Sequence, residues 1–307
     1  MKKLFLLHLI IFNLCAIEPI SPIPLDIKVD QAKANLGKKL FFDTLFSRDN
    51  STSCFSCHDV YNGGADAKIV SLGVEDKKGN IQSPTVLNSR YNFRQFWNGR
   101  ARDLGEQIHG PIHNPVEHDM DAKTIEARIN KMAEYREMFS EVYGGEVITY
   151  EQVVDAIVEF ENALVTPNAK FDKFLRGELE LDRDEKEGYV LFKKNGCITC
   201  HNGINIGGNS FQKMGTFMEY NEESDYPDRS KITTNPEHKN VFKVPTLRNI
   251  SKTAPYFHDA SAKTLKEALG VMSKHNLGII LKDYEIDSII SFLKTLDGEL
   301  PKILDIK

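Results

Sequence analysis

The sequence predicts a mainly α fold with long irregular loops, in which two halves of the chain share one design. Apolar residues recur at helical spacing in several stretches, and no stretch shows the apolar and polar alternation of a half-buried strand. The five-residue pattern Cys-x-x-Cys-His occurs twice, each time after a predicted helix. With 307 residues, the chain is long enough for two domains that each have a core.

The N-terminus has the pattern of a secretory signal peptide. Two lysines precede a short apolar run over 4–15, and the sequence is consistent with cleavage after Ala16. The run is too short for a comfortable bilayer span, which argues against a retained anchor, and Leu14 argues against lipidation at Cys15. The sequence therefore predicts a signal peptide over 1–16 and export of the mature chain.

The predicted first domain spans 17–165 and begins with an extended lead-in. Three prolines in 18–27 exclude a helix there. Apolar residues share one face between 29 and 40, which predicts the first helix, and abundant Gly, Asn, Ser and Asp over 58–110 predict long loops. Two further helices are predicted at 122–139 and 150–164.

The predicted second domain spans 166–307 and repeats the order of the first. Thr166-Pro-Asn168 marks the boundary, and a helix at 183–194 leads into the second cysteine motif. We expect the C-terminal tail to pack back on the first domain. The remaining predicted segments are loops at 203–215 and 219–240 and helices at 264–275 and 283–296.

Each Cys-x-x-Cys-His run is typical of a covalent attachment site for haem c. The runs are Cys54-Phe-Ser-Cys57-His58 and Cys197-Ile-Thr-Cys200-His201. Two thiols three residues apart can add to both vinyl groups of one porphyrin, while the adjacent imidazole reaches its iron. Zinc sites and thioredoxin-like redox pairs also use Cys-x-x-Cys, but no further zinc ligands follow either motif at short spacing. The sequence therefore predicts two cytochrome c-like haem domains, with His58 and His201 as axial iron ligands.

Cysteine usage and charge limit the other possibilities. Once the signal peptide is removed, all four remaining cysteines belong to the haem motifs, so no disulfide is expected. The net charge of -5 is mild, and no basic patch indicates nucleic-acid binding. A positively charged protein partner is only weakly indicated.

Five short runs outside the haem motifs belong to one known pattern. They are Ser83-Pro-Thr-Val-Leu-Asn88, Gln95-Phe-Trp-Asn-Gly-Arg100, Gly110-Pro-Ile-His-Asn-Pro-Val-Glu117, Val244-Pro-Thr-Leu-Arg-Asn249 and Ala254-Pro-Tyr-Phe-His-Asp259. With them, the chain resembles bacterial di-haem cytochrome c peroxidases over about 36–296. The resemblance implies a low-potential N-terminal haem that meets hydrogen peroxide and a high-potential C-terminal haem that accepts electrons. It further implies a small monohaem cytochrome c or similar donor, a periplasmic location, and homodimers as a common state.

The resemblance also suggests the second ligand of the C-terminal haem. Met272 matches the family position, and a thioether ligand favours the ferrous state. From the residues alone, Met272 can equally be a core residue, and His275, Met214 and Met218 are rival ligands. The resemblance favours Met272.

Further residues match functional positions of the family. Glu117 matches the catalytic glutamate that moves a proton between the peroxide oxygens, and Gln107 matches the glutamine that shapes the pocket. Trp97, the only tryptophan, matches the residue between the two haems. The candidates for neutralising or hydrogen-bonding haem propionates are Arg100, Arg248 and His258.

A calcium ion between the domains is implied by the same resemblance. Gln82 matches the position of a side-chain amide ligand, and Thr253 and Pro255 match positions that supply backbone carbonyls. The amide residue is usually Asn, so Gln82 is a departure that keeps an oxygen donor on a longer arm. Calcium prefers several oxygen ligands and can recruit waters.

One departure from the family pattern affects the chemistry directly. Many members carry a histidine that caps the peroxidatic iron at rest, whereas the matching run here is Ser71-Leu-Gly-Val74-Glu75. Valine cannot ligate iron, so the sequence predicts a resting N-terminal haem that is five-coordinate or holds only water. Glu75 remains an alternative cap. The histidines in the neighbouring loop that remain alternatives are His109, His113 and His118.

Two rival functions remain at this point. A MauG-type di-haem oxidase is compatible with the missing cap, but such proteins typically have a tyrosine where Met272 stands. A non-catalytic electron carrier or redox sensor needs neither Glu117 nor Gln107. The sequence therefore favours the peroxidase.

Overall fold

The computed structural model describes residues 18–220 and 226–305, so the predicted signal peptide over 1–16 lies outside the described residues. The described residues form a mainly α fold, as predicted, and they contain no helix long and apolar enough to cross a membrane. The helices are α1 Gln31–Phe42, α2 Cys54–Cys57, α3 Leu104–His113, α4 Ala122–Ile129, α5 Ala133–Tyr143, α6 Tyr150–Ala163, α7 Lys170–Leu175, α8 Arg183–Lys194, α9 Arg229–Thr233, α10 Leu265–Val271 and α11 Asp283–Lys294. The strands β1 Phe211–Lys213 and β2 Val241–Lys243 form an antiparallel pair.

The first hydrophobic core is built around the crossing of α1 and α6. At the crossing, Gly37 lies so close that a Cβ atom there would be 1.8 Å from the carbonyl oxygen of Ala156. Phe41 and Phe160 meet edge to face beside it, with ring centroids 5.1 Å apart. Glycine therefore lets two helix backbones touch, and the aromatic rings fill the space around the contact.

The second core repeats this arrangement with α8 and α11. A Cβ atom at Gly188 would lie 1.9 Å from the carbonyl oxygen of Ser288. Phe192 and Phe292 pack next to the crossing, with centroids 5.1 Å apart. In each half of the chain, two helices thus cross at a glycine, and the haem motif follows the first of these two helices.

Gly188→Ala is expected to destabilise the protein by about 3 kcal/mol, the upper end of the usual cost of overpacking. The reason is that the new methyl group would overlap the Ser288 carbonyl. Thermal unfolding of the haem-loaded protein measures the effect. The matched control is Gly270→Ala in α10, where a Cβ atom meets nothing within 4 Å and alanine favours the helix. Equal melting temperatures for the two variants would contradict the close crossing.

The two chain ends pack on opposite halves. Ile20 belongs to the second core and pairs with Gly203 in a parallel bridge, so the lead-in that the sequence placed in the first domain contacts the second. A backbone hydrogen bond holds this contact, because the Gly203 N–H donates to the Pro19 carbonyl at 2.8 Å. At the other end, Ile303 and Leu304 lie in the first core.

A buried threonine is one of the contacts between the two halves. Asn88 and Asn249 each donate from Nδ2 to the hydroxyl oxygen of Thr166, at 2.8 and 2.9 Å. Both asparagines have left-handed backbone angles, with φ of 62° and 58°. Because they occupy corresponding places in the two halves, Thr166 lies close to a local pseudo-twofold axis.

Several elements differ from the sequence prediction. The helix predicted at 122–139 is interrupted between α4 and α5, where the Asn130 side chain donates to the carbonyls of Glu126 and Ile148. Helix α3 was expected to be loop because glycine and Pro111 disfavour helices, although Pro111 lies in its last turn. The strands were not predicted because three residues are too few to show alternation.

Candidate active site

The first haem motif forms a short helix that aims its histidine inward. Helix α2 begins after Ser53, which takes part in a capping box, and His58 follows as the C-terminal cap with its N–H bonded to the Cys54 carbonyl at 3.1 Å. The Nδ1 atom of His58 lies 3.4 Å from the Gly64 carbonyl. Burial lowers the pKa of His58, which keeps the imidazole neutral. With Nδ1 held by a carbonyl, Nε2 remains for a metal.

The second haem motif repeats this geometry. The His201 N–H bonds the Cys197 carbonyl at 3.0 Å, and burial lowers the pKa of His201 to about 4. The carbonyls of Ile206 and Pro245 lie near the imidazole ring, although Nδ1 itself has no hydrogen-bond partner among the described residues. Gly207 makes this approach possible because a Cβ atom there would lie 2.1 Å from the Pro245 carbonyl oxygen, with φ of 129°.

The two motifs fit covalently bound haem c. All four motif cysteines are free thiols, and burial raises the pKa of both Cys57 and Cys197 to about 11, so they are protonated at neutral pH. Each thiol pair lies next to a buried neutral imidazole, which is the form that ligates iron. The donor set of each motif therefore matches one haem group with two thioether links and one axial nitrogen.

Met272 stands where helix α10 changes its winding. A π-helical turn, Met272–Asn276, begins at this residue, and such turns are frequent at functional sites. The Met272 side chain is half-buried against a cluster that includes Trp97 and Phe242. The thioether and the tryptophan thus pack against the same cluster, and the role of Met272 as a ligand stays a prediction.

The three rival ligands are placed differently. The His275 Nδ1 atom lies 3.1 and 3.0 Å from the carbonyls of Met218 and Glu219, so one ring nitrogen is already engaged. The Met218 side chain is 48% exposed. Met214 is buried in the same cluster as Met272, which makes it the closest competitor.

Glu117 lies in a largely buried pocket after α3. Asn114 donates from Nδ2 to its carboxylate at 2.6 Å. Burial raises the pKa of Glu117, while the Asn114 hydrogen bond and the Arg100 guanidinium oppose the shift. Besides the effect of burial, the charge of Glu117 also raises the pKa of the Cys57 thiol. Glu117 is therefore within electrostatic reach of the first haem motif.

A second group of polar residues faces the same pocket. Arg100 donates from Nη1 to the Tyr226 hydroxyl at 2.7 Å, and its guanidinium carbon lies 3.3 Å from the centroid of the Phe96 ring. Burial raises the pKa of Tyr226, and the negative charge of Glu117 adds to the shift. Gln107 lies half-buried on α3, the helix that leads to Glu117.

The turn with Val74 packs directly on Glu117. The Val74 N–H donates to the Glu117 carbonyl at 2.9 Å, and the valine side chain is completely buried. A Cβ atom at Gly73 would lie 2.1 Å from the Val116 carbonyl, so this contact requires glycine. Glu75 forms ion pairs with Arg48 and Lys77, which engage its carboxylate on the protein surface.

The three histidines near the pocket differ in surroundings. His109 and His113 stack on each other with centroids 6.1 Å apart, and their Nδ1 atoms contact the Tyr150 hydroxyl and the Met120 carbonyl. His118 is buried, and its Nδ1 atom has no hydrogen-bond partner. Burial lowers the pKa of His118 to about 4, and His58 contributes to the shift. Of the three, His118 is the one that lies near the His58 imidazole.

Trp97 links the two halves. Its Nε1 donates to the Gln82 carbonyl at 2.9 Å, and its ring meets the His258 ring edge-on at 5.9 Å. His258 stacks on Phe242 with centroids 4.1 Å apart. The tryptophan is thus held between a segment of the first half and a segment of the second.

The predicted calcium ligands lie near this junction. Gln82 is buried, and its N–H donates to the His258 carbonyl at 3.0 Å. Thr253 is buried, and a cis bond precedes Pro255. Within 18–220 and 226–305 no group of three or more His, Cys, Asp or Glu side chains is arranged to hold a metal, and an amide-and-carbonyl calcium site stays a prediction.

Arg248 is engaged by several protein groups, and its contact with a haem propionate stays a prediction. Its Nη1 and Nη2 donate to the Asp172 carboxylate at 3.0 Å each, and its Nε donates to the Ile204 carbonyl at 2.6 Å. Nη2 also donates to the Ser21 carbonyl at 3.1 Å. The guanidinium is 1% exposed, so these partners leave it little capacity for a haem propionate. Arg248 ties the lead-in to the second core.

Comparisons with known proteins agree with this geometry. A family model described as di-haem cytochrome c peroxidase matches residues 31–180, and a cytochrome c model matches residues 185–297. A cytochrome c551 peroxidase of Nitrosomonas europaea is 46% identical, over 94% of this chain and 86% of its own length. The chain belongs to the di-haem cytochrome c peroxidase family.

Other members of the di-haem cytochrome c peroxidase family are similar over most of their length. A cytochrome c551 peroxidase of Pseudomonas aeruginosa is 38% identical, over 90% of this chain and 81% of its own length. The crystal structure of a MauG-like protein associated with microbial copper homeostasis is 26% identical, with a TM-score of 0.78 and coverage of 94% and 95% of the two chains. Two haem c cofactors follow from this membership.

Sequence reasoning missed three residues that the structure makes prominent. Tyr226 follows a polar, acidic stretch and gives no local signal. Glu161 and Lys243 are charged residues on otherwise apolar or mixed elements, where a solvated position is the usual expectation. Both are buried, at 7% exposure each.

Glu161→Gln is expected to remove a pH dependence of stability. Burial raises the pKa of Glu161 from 4.5 to about 8, so the folded protein keeps a proton that the unfolded chain loses. Wild-type stability should therefore fall as pH rises from about 4.5 to 8, by on the order of 5 kcal/mol, and the variant should be the more stable at pH 8. Chemical unfolding across pH measures the difference. The control is Glu151→Gln, an exposed site on the same helix, and parallel stability curves for wild type and Glu161→Gln would contradict the prediction.

Proposed function

We propose that the protein is a periplasmic di-haem cytochrome c peroxidase that reduces hydrogen peroxide to water with two electrons from a small reduced cytochrome c or a similar donor. The observation that carries the proposal is Glu117, a largely buried carboxylate with a raised pKa within electrostatic reach of Cys57. The 46% identity with the Nitrosomonas europaea cytochrome c551 peroxidase supports the same activity.

Bound haem iron supplies the electron-transfer chemistry and the binding site for peroxide. The chain's own contribution begins with Glu117, whose carboxylate takes the proton from the inner peroxide oxygen and gives it to the outer one. Asn114 holds the carboxylate by a 2.6 Å hydrogen bond. The Arg100 guanidinium stabilises negative charge in the pocket. Gln107 shapes the wall of the pocket on the α3 side.

Electrons reach this pocket from the second half of the molecule. His201 and Met272 would hold the haem that accepts electrons from the donor, and His58 would hold the haem at which peroxide is reduced. Trp97 lies between the two halves, fixed by its bond to the Gln82 carbonyl and its contact with His258. An indole held in this way provides a rigid bridge across the junction.

Steady-state peroxide consumption with a reduced monohaem cytochrome c tests the function. Rapid, stoichiometric oxidation of two donor molecules per peroxide supports a peroxidase. Slow turnover that consumes peroxide without oxidising the donor, accompanied by modification of an added protein, would instead favour a MauG-type oxidase. That second candidate is retained because of the 26% identical MauG-like structure.

The remaining parts of the proposal concern location, calcium and assembly. Export by the signal peptide over 1–16 supports the periplasm. Calcium at Gln82, Thr253 and Pro255 would tie the first half to the loop with the cis peptide bond before Pro255. A homodimer is proposed from the resemblance alone. Chelation followed by analytical ultracentrifugation checks both the calcium and the assembly.

Electron paramagnetic resonance of the oxidised, as-isolated protein is expected to show a high-spin signal from one haem. The reason is that Val74 offers no ligand, and Glu75 is engaged by Arg48 and Lys77. A purely low-spin spectrum would contradict the open site. In that case His118→Leu distinguishes the buried histidine as the cap, whereas the exposed His113→Leu serves as the control.

A further inference from the structure

Lys243 is a buried cation with no anionic partner in the described part of the chain. It ends strand β2 and is 7% exposed, and its backbone N–H donates to the Trp97 carbonyl at 2.7 Å. Burial alone lowers its pKa to about 8, and no neighbouring carboxylate raises it. The described residues therefore contain nothing that compensates the ammonium group.

An uncompensated buried ammonium is costly. Lysines are almost never fully buried unless they are paired, because removing the charge from water costs several kcal/mol. Deprotonation would not remove the cost fully, because an amine on a buried side chain still favours a hydrogen-bond partner. We therefore look for an anionic partner outside the described residues, and each haem c carries two propionate carboxylates.

The surroundings of Lys243 indicate which haem supplies the anion. Two residues further along the chain, the Pro245 carbonyl lies near the imidazole ring of His201. One residue earlier, Phe242 packs in the cluster that contains Met272. Lys243 thus lies on the segment that passes from the Met272 side to the His201 side of the second haem site.

The first half has a neutral residue at the corresponding position. Gln82 also lies two residues before a proline, Pro84, whose carbonyl faces the proximal histidine His58. The backbone contacts correspond as well, because the Gln82 N–H bonds the His258 carbonyl as the Lys243 N–H bonds the Trp97 carbonyl. The Gln82 amide in the first half and the Lys243 ammonium in the second half therefore occupy equivalent positions.

We propose that Lys243 donates to a propionate of the haem attached at Cys197 and Cys200 and that its charge raises the reduction potential of this haem above that of the other. Reduction adds one negative charge to a haem, so a fixed cation nearby favours the reduced state. The difference in reduction potential between the two haems then arises from the charge of Lys243 as well as from the Met272 ligand. The inference depends on the two haems, and on the proposed function only for the direction of electron flow.

Spectropotentiometric titration of the haem-loaded full chain at fixed pH tests the proposal. Lys243→Gln is expected to lower the reduction equilibrium constant of the second haem about tenfold, which corresponds to about 59 mV for one electron. The His58 haem should shift less, and Lys243→Arg should keep the wild-type value. Lys239→Gln, an exposed lysine before the same strand, is the control.

If Lys243→Gln does not accumulate in folded form, Lys243→Met keeps the length of the side chain without its charge and is measured in the same way. Resonance Raman spectra should also show a change in the propionate modes of one haem. Unchanged potentials in both neutral variants, or an equal shift in Lys239→Gln, would overturn the proposal. If the neutral Lys243 variants lose peroxide turnover but keep normal potentials, the proposal that Lys243 raises the potential is overturned. The loss of turnover then concerns the proposed function alone.

Discussion

Glu117→Gln is expected to lower peroxide turnover by about 10²- to 10⁴-fold while both haems remain attached. Glutamine keeps the size of the side chain and its contact with Asn114 but cannot carry a proton between the peroxide oxygens. The measurement is the turnover number with a reduced monohaem cytochrome c, together with absorption spectra that report intact haems. Glu106→Gln, at an exposed glutamate on α3, should behave as the wild type.

The pH profile of the same reaction provides a second readout. Burial raises the pKa of Glu117, and only the ionised carboxylate can accept the first proton. Wild-type turnover should therefore decrease as pH falls through this raised pKa, and the low-pH decrease should be absent from the residual activity of Glu117→Gln. Wild-type turnover in the variant would show that another group moves the proton, and an electron-carrier function would then gain support.

Met272→His is expected to lower the potential of the second haem by on the order of a tenth of a volt or more, because a nitrogen ligand stabilises ferric iron relative to a thioether. Electron uptake from the donor should become rate-limiting, so turnover should fall even though Glu117 is intact. Spectropotentiometry and stopped-flow reduction by the donor measure the two effects separately.

The control for Met272 is its neighbour in the same cluster. Met214→Leu preserves volume and removes the other buried thioether near Trp97, so it should leave the potential unchanged. A fall in potential in Met214→Leu with none in Met272→His would transfer the ligand role to Met214. The exposed Met218 serves as a further control.

The sequence predicts the helical pairs and the haem motifs well because both are local patterns. Helices α1, α6, α8 and α11 lie close to their predicted ranges, since each has an apolar face at helical spacing. Helix α3 was not predicted because its glycines and Pro111 lower the helix propensity of the segment, and its apolar face is short. The lead-in was assigned to the first domain because adjacency in sequence gives no information about the Gly203 contact.

The site shows the same division between local and distant information. The roles suggested for Glu117, Met272 and Trp97 rest on short motifs and stay predictions, although Glu117 lies within electrostatic reach of Cys57. The buried ion pair of Arg248 was not foreseen because its partner Asp172 lies 76 positions away. Lys243 and Glu161 gave no signal, since the burial of a charged side chain depends on distant packing and cannot be inferred from its neighbours in sequence.

Thr166 has a consequence for the speed of the reaction. A hydroxyl oxygen has two lone pairs, and the two asparagines use both of them. This oxygen is therefore one of the contacts that fix the halves relative to each other, and with them the separation that an electron would cross. Because tunnelling probability decays steeply with distance, a slight sliding at this oxygen would change the transfer rate far more than it would change the energy of the junction.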